Sequence, residues 1–501
     1  MHEIELKLQV PAARRAAVDA AVAGTAAAPR MRLQAAYHDT PERTLAAAGL
    51  ALRLRREGRQ WVQTLKGAGD DGLTRAEHNV PRGSAAAMPA IDPALHAGTP
   101  VGDRLIALLG TDAALHTLYR TDIRRRSRAL PVRAPGRGGS RVELAFDLGR
   151  IVAGESVGDV CELEIELLAG SPRAVIDTAR RWLPRFGLWL DGRSKAERGD
   201  LLARGEAMAP ARLAAPVRLD ASMDSAAAWQ AVLRNCADQI LANASQIASG
   251  EHAPEHVHQL RVGLRRLRSA LALFEIDHQT ALADGATALF RRLGAARDSA
   301  VIAEAFGAPL IDAMRSAGLA DAAAPALGAA APESPVHVLR DGASQTLLLD
   351  LLAAMHPEPA AAVDDAPPDD GITTRLAARL NRWHAQVVAD AKRYAELDDA
   401  ARHRLRKRAK RLRYAVEFSA ALFGRRGVRR YLKALRALQE RLGAVSDAIM
   451  AIDAFAPRAP TDAHAMFALG WLVARREALI DAAAPELKAF TKVERFWKRK
   501  R

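Results

Sequence analysis

The segment His2-Glu3-Ile4-Glu5-Leu6-Lys7-Leu8-Gln9 alternates polar and apolar residues without a break. Successive side chains of a strand point to opposite faces, so Glu3, Glu5 and Lys7 share one face and Ile4, Leu6 and Leu8 the other. The pattern recurs. Arg53 and Arg55 alternate with Leu52 and Leu54, Arg75 shares a face with Glu77, and Glu143 shares one with Asp147. Glu162, Glu164 and Glu166 alternate with Leu163, Ile165 and Leu167. On any one strand a charged face is the solvated side of a one-sided sheet. Several such strands, with the charge sign differing from strand to strand, point instead to a closed sheet that gathers acidic and basic faces inside a wet tunnel.

Period-two segments at 3–9, 50–57, 60–66, 74–80, 141–147 and 160–168 predict an antiparallel sheet or barrel over residues 1–204, with helices near 11–22, 101–116 and 172–186. Residues 205–222, rich in Ala, Pro and Arg, predict a linker. From 223 to 495 nearly everything reads as helix, interrupted by Ala/Pro/Gly-rich loops near 318–335 and 356–371, and 496–501 is a basic tail. The expected fold class is α+β and multidomain, in keeping with a chain of 501 residues.

The helical part repeats itself. His258, Arg261, Arg265, Arg266 and Arg268 recur 145 positions later as His403, Arg406, Lys410, Arg411 and Arg413. Leu293-Gly294 with Asp298 recurs as Leu442-Gly443 with Asp447, so two pseudo-equivalent halves are expected. His258, Arg261, Arg265 and Arg268 are spaced 3, 4 and 3, which keeps them on one helical stripe, while Leu260, Leu264, Leu267 and Leu271 form another. One stripe packs and the other is free to bind. Between Arg402 and Arg441 there are 15 Lys/Arg and two acids, Glu417 and Glu440, a self-repulsion that a polyanion would offset.

Charge and composition narrow the partner. The chain holds 73 Lys+Arg against 58 Asp+Glu, a net +15, which suits nucleic acid, anionic membrane or a phosphate polymer. Aromatics make up only 5%, and the basic stripes hold none apart from Tyr414, so base-stacking platforms are poorly supplied and nucleic acid is disfavoured. Two isolated cysteines, Cys161 and Cys236, make no disulfide framework and fit a reducing compartment. No apolar run is long enough for a membrane span and the N-terminus does not read as a signal peptide, so a cytoplasmic protein is expected.

The segregated charges have a chemical use. Glu-x-Glu pairs supply the hard oxygen ligands that Mg²⁺ or Mn²⁺ prefers, and Arg and Lys grip phosphate oxygens. A triphosphate bridging the two groups satisfies both. The ordered series Glu3-x-Glu5-x-Lys7, Leu52-Arg53-Leu54-Arg55, Thr64-Leu65-Lys66, Arg75-x-Glu77, Asp147, Glu162-x-Glu164-x-Glu166 and Ser194-Lys195 resembles the CYTH domain of triphosphate tunnel metalloenzymes over residues 1–204. The resemblance implies an eight-stranded antiparallel tunnel and hydrolysis of a triphosphate with Mg²⁺ or Mn²⁺. It implies Glu3, Glu5, Asp147, Glu162 and Glu164 as metal ligands. By the same resemblance Lys7, Arg53, Arg55, Lys66, Arg75, Arg125 and Lys195 hold phosphates, and Glu3, Glu5, Lys7, Lys66 and Arg125 form the catalytic set. Of the consecutive Arg124, Arg125 and Arg126, only the family pattern selects Arg125, and Glu166 is either a further ligand or the wet end of its strand.

His258-x-x-Arg261-Val262-x-x-Arg265-Arg266-x-Arg268, Leu293-Gly294-x-x-Arg297-Asp298 and their second copies resemble the CHAD domain over about 223–495, with Ser446 where the second copy would repeat Arg297. That resemblance implies a groove for inorganic polyphosphate between two four-helix halves. Its residues would be His258, Arg261, Arg265, Arg266, Arg268, His403, Arg406, Lys407, Lys410 and Arg413. The expected activity is metal-dependent hydrolysis of inorganic triphosphate to pyrophosphate and phosphate, in a cytoplasmic protein able to associate with polyphosphate granules. The alternatives are a granule scaffold with little catalysis, or a hydrolase or cyclase acting on ATP or thiamine triphosphate.

Overall fold

The structure is a computed structural model that describes residues 2–25, 28–68, 73–110, 113–132, 139–276, 279–319, 333–357 and 371–497. Its strands are β1 (His2–Gln9), β2 (Arg30–Asp39), β3 (Leu50–Glu57), β4 (Gln60–Ala68), β5 (Thr74–Pro81), β6 (His116–Val132), β7 (Ser140–Ala153), β8 (Ser156–Ala169) and β9 (Trp189–Leu190). The first eight close into an antiparallel ring, β1–β5–β4–β3–β2–β6–β7–β8 and back to β1. The short β9 adds to β1 at Leu8 and Gln9. Two hairpins of the ring, β3–β4 and β7–β8, turn on two-residue loops that open with Gly58 (φ 62°) and Gly154 (φ 56°), conformations a side chain resists.

Helices α1 (Arg15–Ala23), α2 (Thr44–Ala47), α3 (Pro100–Leu109), α4 (Arg173–Phe186) and α5 (Lys195–Ala203) accompany the barrel. The helix expected over 101–116 stops at Leu109, because Gly110 (φ 62°) turns the chain and His116 already opens β6. α4 lies on β1, β7 and β8. Its Val175, Ile176, Ala179 and Leu183 are buried, as are Leu6, Leu8, Leu144, Phe146, Leu163 and Ile165, the apolar halves of those strands. Removing each such side chain from water contributes about 1.5–3 kcal/mol, which is why the alternation must place them outside the ring and the charges inside it.

The interior is not wet throughout. Leu33, Ala35, Tyr37, Tyr119, Ile123, Ile151, Ala153 and Val160 share the inward register with the charged residues, yet form an apolar cluster with Ala196, Leu202 and Ala203 of α5. That cluster plugs one part of the barrel. β2 and β6, which the alternation did not reveal, supply five of its eight buried residues.

The remaining helices are α6 (Ser225–Ser249), α7 (Pro254–Phe274), α8 (Thr280–Arg292), α9 (Ala295–Ser316), α10 (Pro335–Arg340), α11 (Gly342–Met355), α12 (Ile372–Lys392), α13 (Asp399–Ser419), α14 (Arg425–Phe455), α15 (Ala463–Ala482) and α16 (Ala484–Thr491). The chain divides into two compact units. The first comprises Met1–Leu213, Ala237–Leu260 and Pro335–Ala361, and the second Ala214–Cys236, Arg261–Ser334 and Ala362–Arg501. Within the first, α11 packs on α4, Arg180 pairs with Asp350 at 2.5 Å, and Gln345 accepts from the Leu190 amide at 2.7 Å. The expected linker carries no helix or strand over 206–224 but is tied down. Asn243 accepts from the Arg212 amide at 3.1 Å, and buried His256 meets the Ala209 carbonyl at 2.9 Å, a structural task for a histidine that the repeat had left without one.

In the second unit α14 packs on α13, α15, α16 and α9. Ile302, Phe306, Leu310 and Met314 meet Ala448, Ala451, Phe455 and Leu472 there. The repeat appears in the elements themselves: α7 and α13 both have 21 residues, with their ends displaced by 145. It is imperfect at the second motif, where Leu293-Gly294 separates α8 from α9 but Leu442-Gly443 lies inside unbroken α14. The Ala/Pro/Gly-rich loops expected near 318–335 and 356–371 fall mostly outside the described residues.

Candidate functional site

Strand register brings the charges together. Lys7 lies opposite Glu164, Gln9 opposite Glu162, Asp147 opposite Glu162 and Arg125 opposite Asp147. Around the ring Arg53 lies opposite Tyr37 and Thr64, Arg55 opposite Ala35, and Lys66 opposite Glu77. Opposed residues of neighbouring strands share a face, so these side chains all point inward.

Asp147, Glu162 and Glu164 form the acidic centre: one oxygen from each lies within 4.8 Å of the others, and Glu162 and Asp147 are 0% and 1% exposed. Buried carboxylates need cations. Lys195 supplies one, with its ammonium 2.7 Å from Asp147 and 3.0 Å from Glu164, and bonded to Glu162 as well. Arg125 donates twice to Asp147, at 2.7 Å each, and also to Glu164. Burial pushes Glu164 up, but Lys195, Arg125 and Lys7 outweigh it and hold the group well below the usual carboxylate range. Asp147 is lowered in the same way, by Lys195 and Arg125 against burial. Burial works against the Lys195 ammonium, yet Asp147, Glu162 and Glu164 raise its pKa.

Glu3 and Glu5 stand apart from this trio. Glu5 bonds to Lys7 and lies 3.5 Å from Arg75, while Glu3 accepts from Lys66 at 2.5 Å, which also reaches Glu77 at 3.0 Å. Burial, with Glu5 and Glu77 adding to it and Lys66 opposing, pushes Glu3 up to about 7. The five expected metal ligands thus form a tight group of three, with Glu3 and Glu5 outside it and paired with cations of their own.

The basic wall faces them. Arg53 donates to the Tyr37 hydroxyl at 3.2 Å, and Tyr37 stacks on Tyr119 at 4.7 Å. Burial, then Arg53 and Arg125, depress the Arg55 pKa, so these three cations lie close enough to repel one another. Arg55 turns to Glu57 at 2.6 Å. Arg124 is exposed on the outer face of β6, while Arg126 is bonded to Asp19 at 2.9 Å, so Arg125 is the inward member of the three. Glu166 lies opposite Glu5 and Glu143, beyond the trio.

Two inward residues were missed. Arg198 donates to Glu162 at 2.7 Å, and Gln9 reaches the same carboxylate at 3.4 Å. Ser194 caps α5 with Glu197 in a capping box, and Lys195 and Arg198 are three positions apart, so both lie on one face of that helix. The Ser-x-x-Glu signature at 194–197 was the signal.

Among the helices, the stripe is partly sorted by burial. Arg261 and Arg265 lie over the Phe290 ring at 4.7 and 5.5 Å. Arg406 approaches Asp447 at 3.5 Å, and His403 bonds Ser446, the residue standing where the first copy has Arg297, at 3.2 Å. Lys410 is acted on by Arg406, Arg265 and Arg413, and Arg268 by Arg291. Lys407 is exposed and His258 half-buried on α7. Off-stripe Arg266 is turned inward, over Phe418 at 5.1 Å and onto Asn235 at 2.6 Å. Its counterpart Arg411 lies over Trp383 at 4.3 Å. Arg413 pairs with Glu417 at 3.6 Å. The side chains of Arg297 and Asp298 lie outside the described residues.

The chain is similar to known proteins. Residues 1–199 match the CYTH domain and residues 231–456 the CHAD domain. Over 173 residues the chain is 29% identical to an inorganic triphosphatase of Haemophilus influenzae, a match covering 33% of this chain and 44% of that protein. The chain therefore spans less than half the length of that curated relative. Among solved structures, the CHAD domain of the plant Ricinus communis is 31% identical over 56% of this chain and 96% of its own, with a TM-score of 0.44. A putative adenylyl cyclase from Hippeastrum, described as having a dominant triphosphatase activity, is 18% identical over 42% of this chain and 98% of its own, with a TM-score of 0.28.

Proposed function

From a chain that belongs to the CYTH and CHAD families, carrying one domain of each, we propose divalent-metal-dependent hydrolysis of inorganic triphosphate in the barrel and binding of inorganic polyphosphate by the helices. The observation that carries the reading is the closed ring in which three buried carboxylates face Arg53, Arg55, Lys66 and Arg125 across one interior. Three carboxylates within 4.8 Å form a hard, anionic donor set that fits Mg²⁺ or Mn²⁺, and Asp147, Glu162 and Glu164 would hold the ion. A bound ion there would neutralise phosphate charge and polarise the scissile bond.

The chain's own groups do the rest. Arg53, Arg55, Lys66 and Arg125 grip phosphate oxygens through charge-assisted hydrogen bonds and hold the triphosphate in line. Lys195, fixed at the start of α5 beside the acidic trio, would be free to turn toward phosphate with Asp147, Glu162 and Glu164 holding an ion. The apolar plug of Tyr37, Tyr119 and α5 shuts water out of the far part of the interior and keeps the field of the cations strong. Inorganic triphosphate is preferred to a nucleotide because a phosphate-polymer module accompanies the barrel in one chain.

Among the described residues no helix is long and apolar enough to cross a membrane. The reading is tested by phosphate release from purified protein with inorganic triphosphate, ATP, thiamine triphosphate and long polyphosphate, each with Mg²⁺ and with Mn²⁺. Release greatest from inorganic triphosphate supports it; a cyclic product from ATP, or greater release from an organic triphosphate, overturns the substrate assignment.

A further inference from the structure

Two polar side chains of the helical segments are buried against the turn that leads into α5 and Lys195. Ser245 on α6 and Gln345 on α11 are 3% and 0% exposed. The Ser245 hydroxyl accepts from the Gly192 amide at 3.0 Å, and the Gln345 side chain accepts from the Leu190 amide at 2.7 Å. The amide nitrogen of that glutamine donates to the Leu339 carbonyl at 2.6 Å, which fixes its orientation and leaves its oxygen for Leu190. Both segments belong to the same compact unit as the barrel, although they lie far along the chain from it.

The turn they hold is fastened to the barrel as well. The Asp191 amide donates to the Lys7 carbonyl at 3.0 Å, and the buried Asp191 carboxylate grips the Arg193 guanidinium at 2.9 and 2.7 Å. The Gly192 carbonyl accepts from Arg75 at 3.3 Å, and Arg75 lies 3.5 Å from Glu5. One peptide segment at Gly192 thus links Ser245 of α6 to Arg75 of β5. Ser194 then caps α5, whose first residue is Lys195.

We propose that Ser245 and Gln345 are positioning residues for the triphosphate site: by holding the 190–194 turn they set where Lys195 presents its charge, so that the chemistry of the barrel depends on helices outside its ring. The inference rests on the reading of the barrel as a hydrolase of inorganic triphosphate. A lysine side chain is long and flexible, so the anchoring of its backbone decides where its ammonium meets Asp147, Glu162 and Glu164. A misplacement of about 1 Å at such a group costs on the order of a hundredfold in rate. For packing alone, apolar residues would serve at both positions, and the Gly192 and Leu190 amides would lose these acceptors.

The test is phosphate release from inorganic triphosphate by the full-length protein, with Ser245→Ala and Gln345→Leu each made in wild type and in Lys195→Met, and with thermal unfolding of every variant. Each should lose about tenfold in kcat/KM in the wild-type background and about threefold or less in Lys195→Met, because each acts through that lysine. Ser245→Thr, which keeps the hydroxyl, should recover most of the rate. Equal losses in the two backgrounds overturn the positioning role, since a general loosening of the fold gives that result. If Gln345→Leu does not fold, Ser245→Ala and Ser245→Thr decide the matter. Release by wild type that the variants match overturns the brace alone. No release by wild type overturns the reading of the barrel, and the brace falls with it.

Discussion

The ammonium of Lys195, at the start of α5, lies 2.7 Å from Asp147 on β7 and 3.0 Å from Glu164 on β8. A cation of the protein thus uses the same oxygens that a metal would need. Lys195→Met should therefore bind Mn²⁺ more tightly, by about tenfold, while losing about a hundredfold or more in turnover, because the same group is proposed to steady phosphate charge. Manganese titration alongside phosphate release checks both halves; weaker metal binding in the variant contradicts the competition.

α5 is held by a contact that a methyl group would break. A Cβ built on Gly199 would lie 2.3 Å from the Tyr119 ring, which is itself stacked on Tyr37. Gly199→Ala should cost about 1–3 kcal/mol of stability from overpacking and lower activity as well, since Lys195 and Arg198 ride on the same helix. Thermal unfolding and phosphate release report the two effects, and a variant with normal activity would separate the plug from the site.

Much of this site was legible in the sequence because period-two alternation is unambiguous when one face is charged and the other is Leu or Ile, as at Leu52-Arg53-Leu54-Arg55 and Glu162-Leu163-Glu164-Ile165. β6 escaped because its inward face mixes the apolar Tyr119 and Ile123 of the plug with polar Thr121 and Arg125, and its outward face is charged. Arg120, Asp122 and Arg124 point out while Thr121 and Arg125 point in, and the outer charges find partners far along the chain, such as Asp122 with Arg32 at 2.6 Å and Arg126 with Asp19. β2 escaped for a related reason, since its inward Leu33, Ala35 and Tyr37 serve the plug and carry no charge. The grouping of Asp147, Glu162 and Glu164 apart from Glu3 and Glu5 depends on register, which residue spacing within one strand does not contain.

The segments 237–260 and 335–361 pack with the barrel in one compact unit. A fragment ending at residue 204 would strip α11 from α4, lose the Arg180–Asp350 pair and leave the Leu190 amide without Gln345. It should unfold at a lower temperature than the full chain and aggregate, its exposed apolar helix face being the cause. A fragment as stable as the parent, by calorimetry, would mean that α11 adds nothing to the barrel.

Lys410 offers a trade between stability and binding. Its pKa in the folded chain lies far below that of a free lysine, so between about pH 7 and about pH 10 the unfolded chain binds more protons and stability rises with pH. At neutral pH the crowded ammonium opposes folding. Lys410→Met should accordingly raise stability by about 1–2 kcal/mol at pH 7 while weakening polyphosphate binding, with the gain shrinking as pH rises. Unfolding melts across that range check the sign; a destabilised variant at pH 7 would show that the lysine is not under repulsion.

In the proposed function, the buried carboxylate trio and the cations around it hydrolyse a triphosphate with a divalent metal. Phosphate release from inorganic triphosphate, with Mg²⁺ and with Mn²⁺, by wild type and by a folded Glu164→Gln variant measures it most directly. Wild type should release phosphate only with metal, and the variant should lose about a hundredfold or more. Undiminished release by Glu164→Gln, or release by wild type that a chelator leaves unchanged, would contradict it.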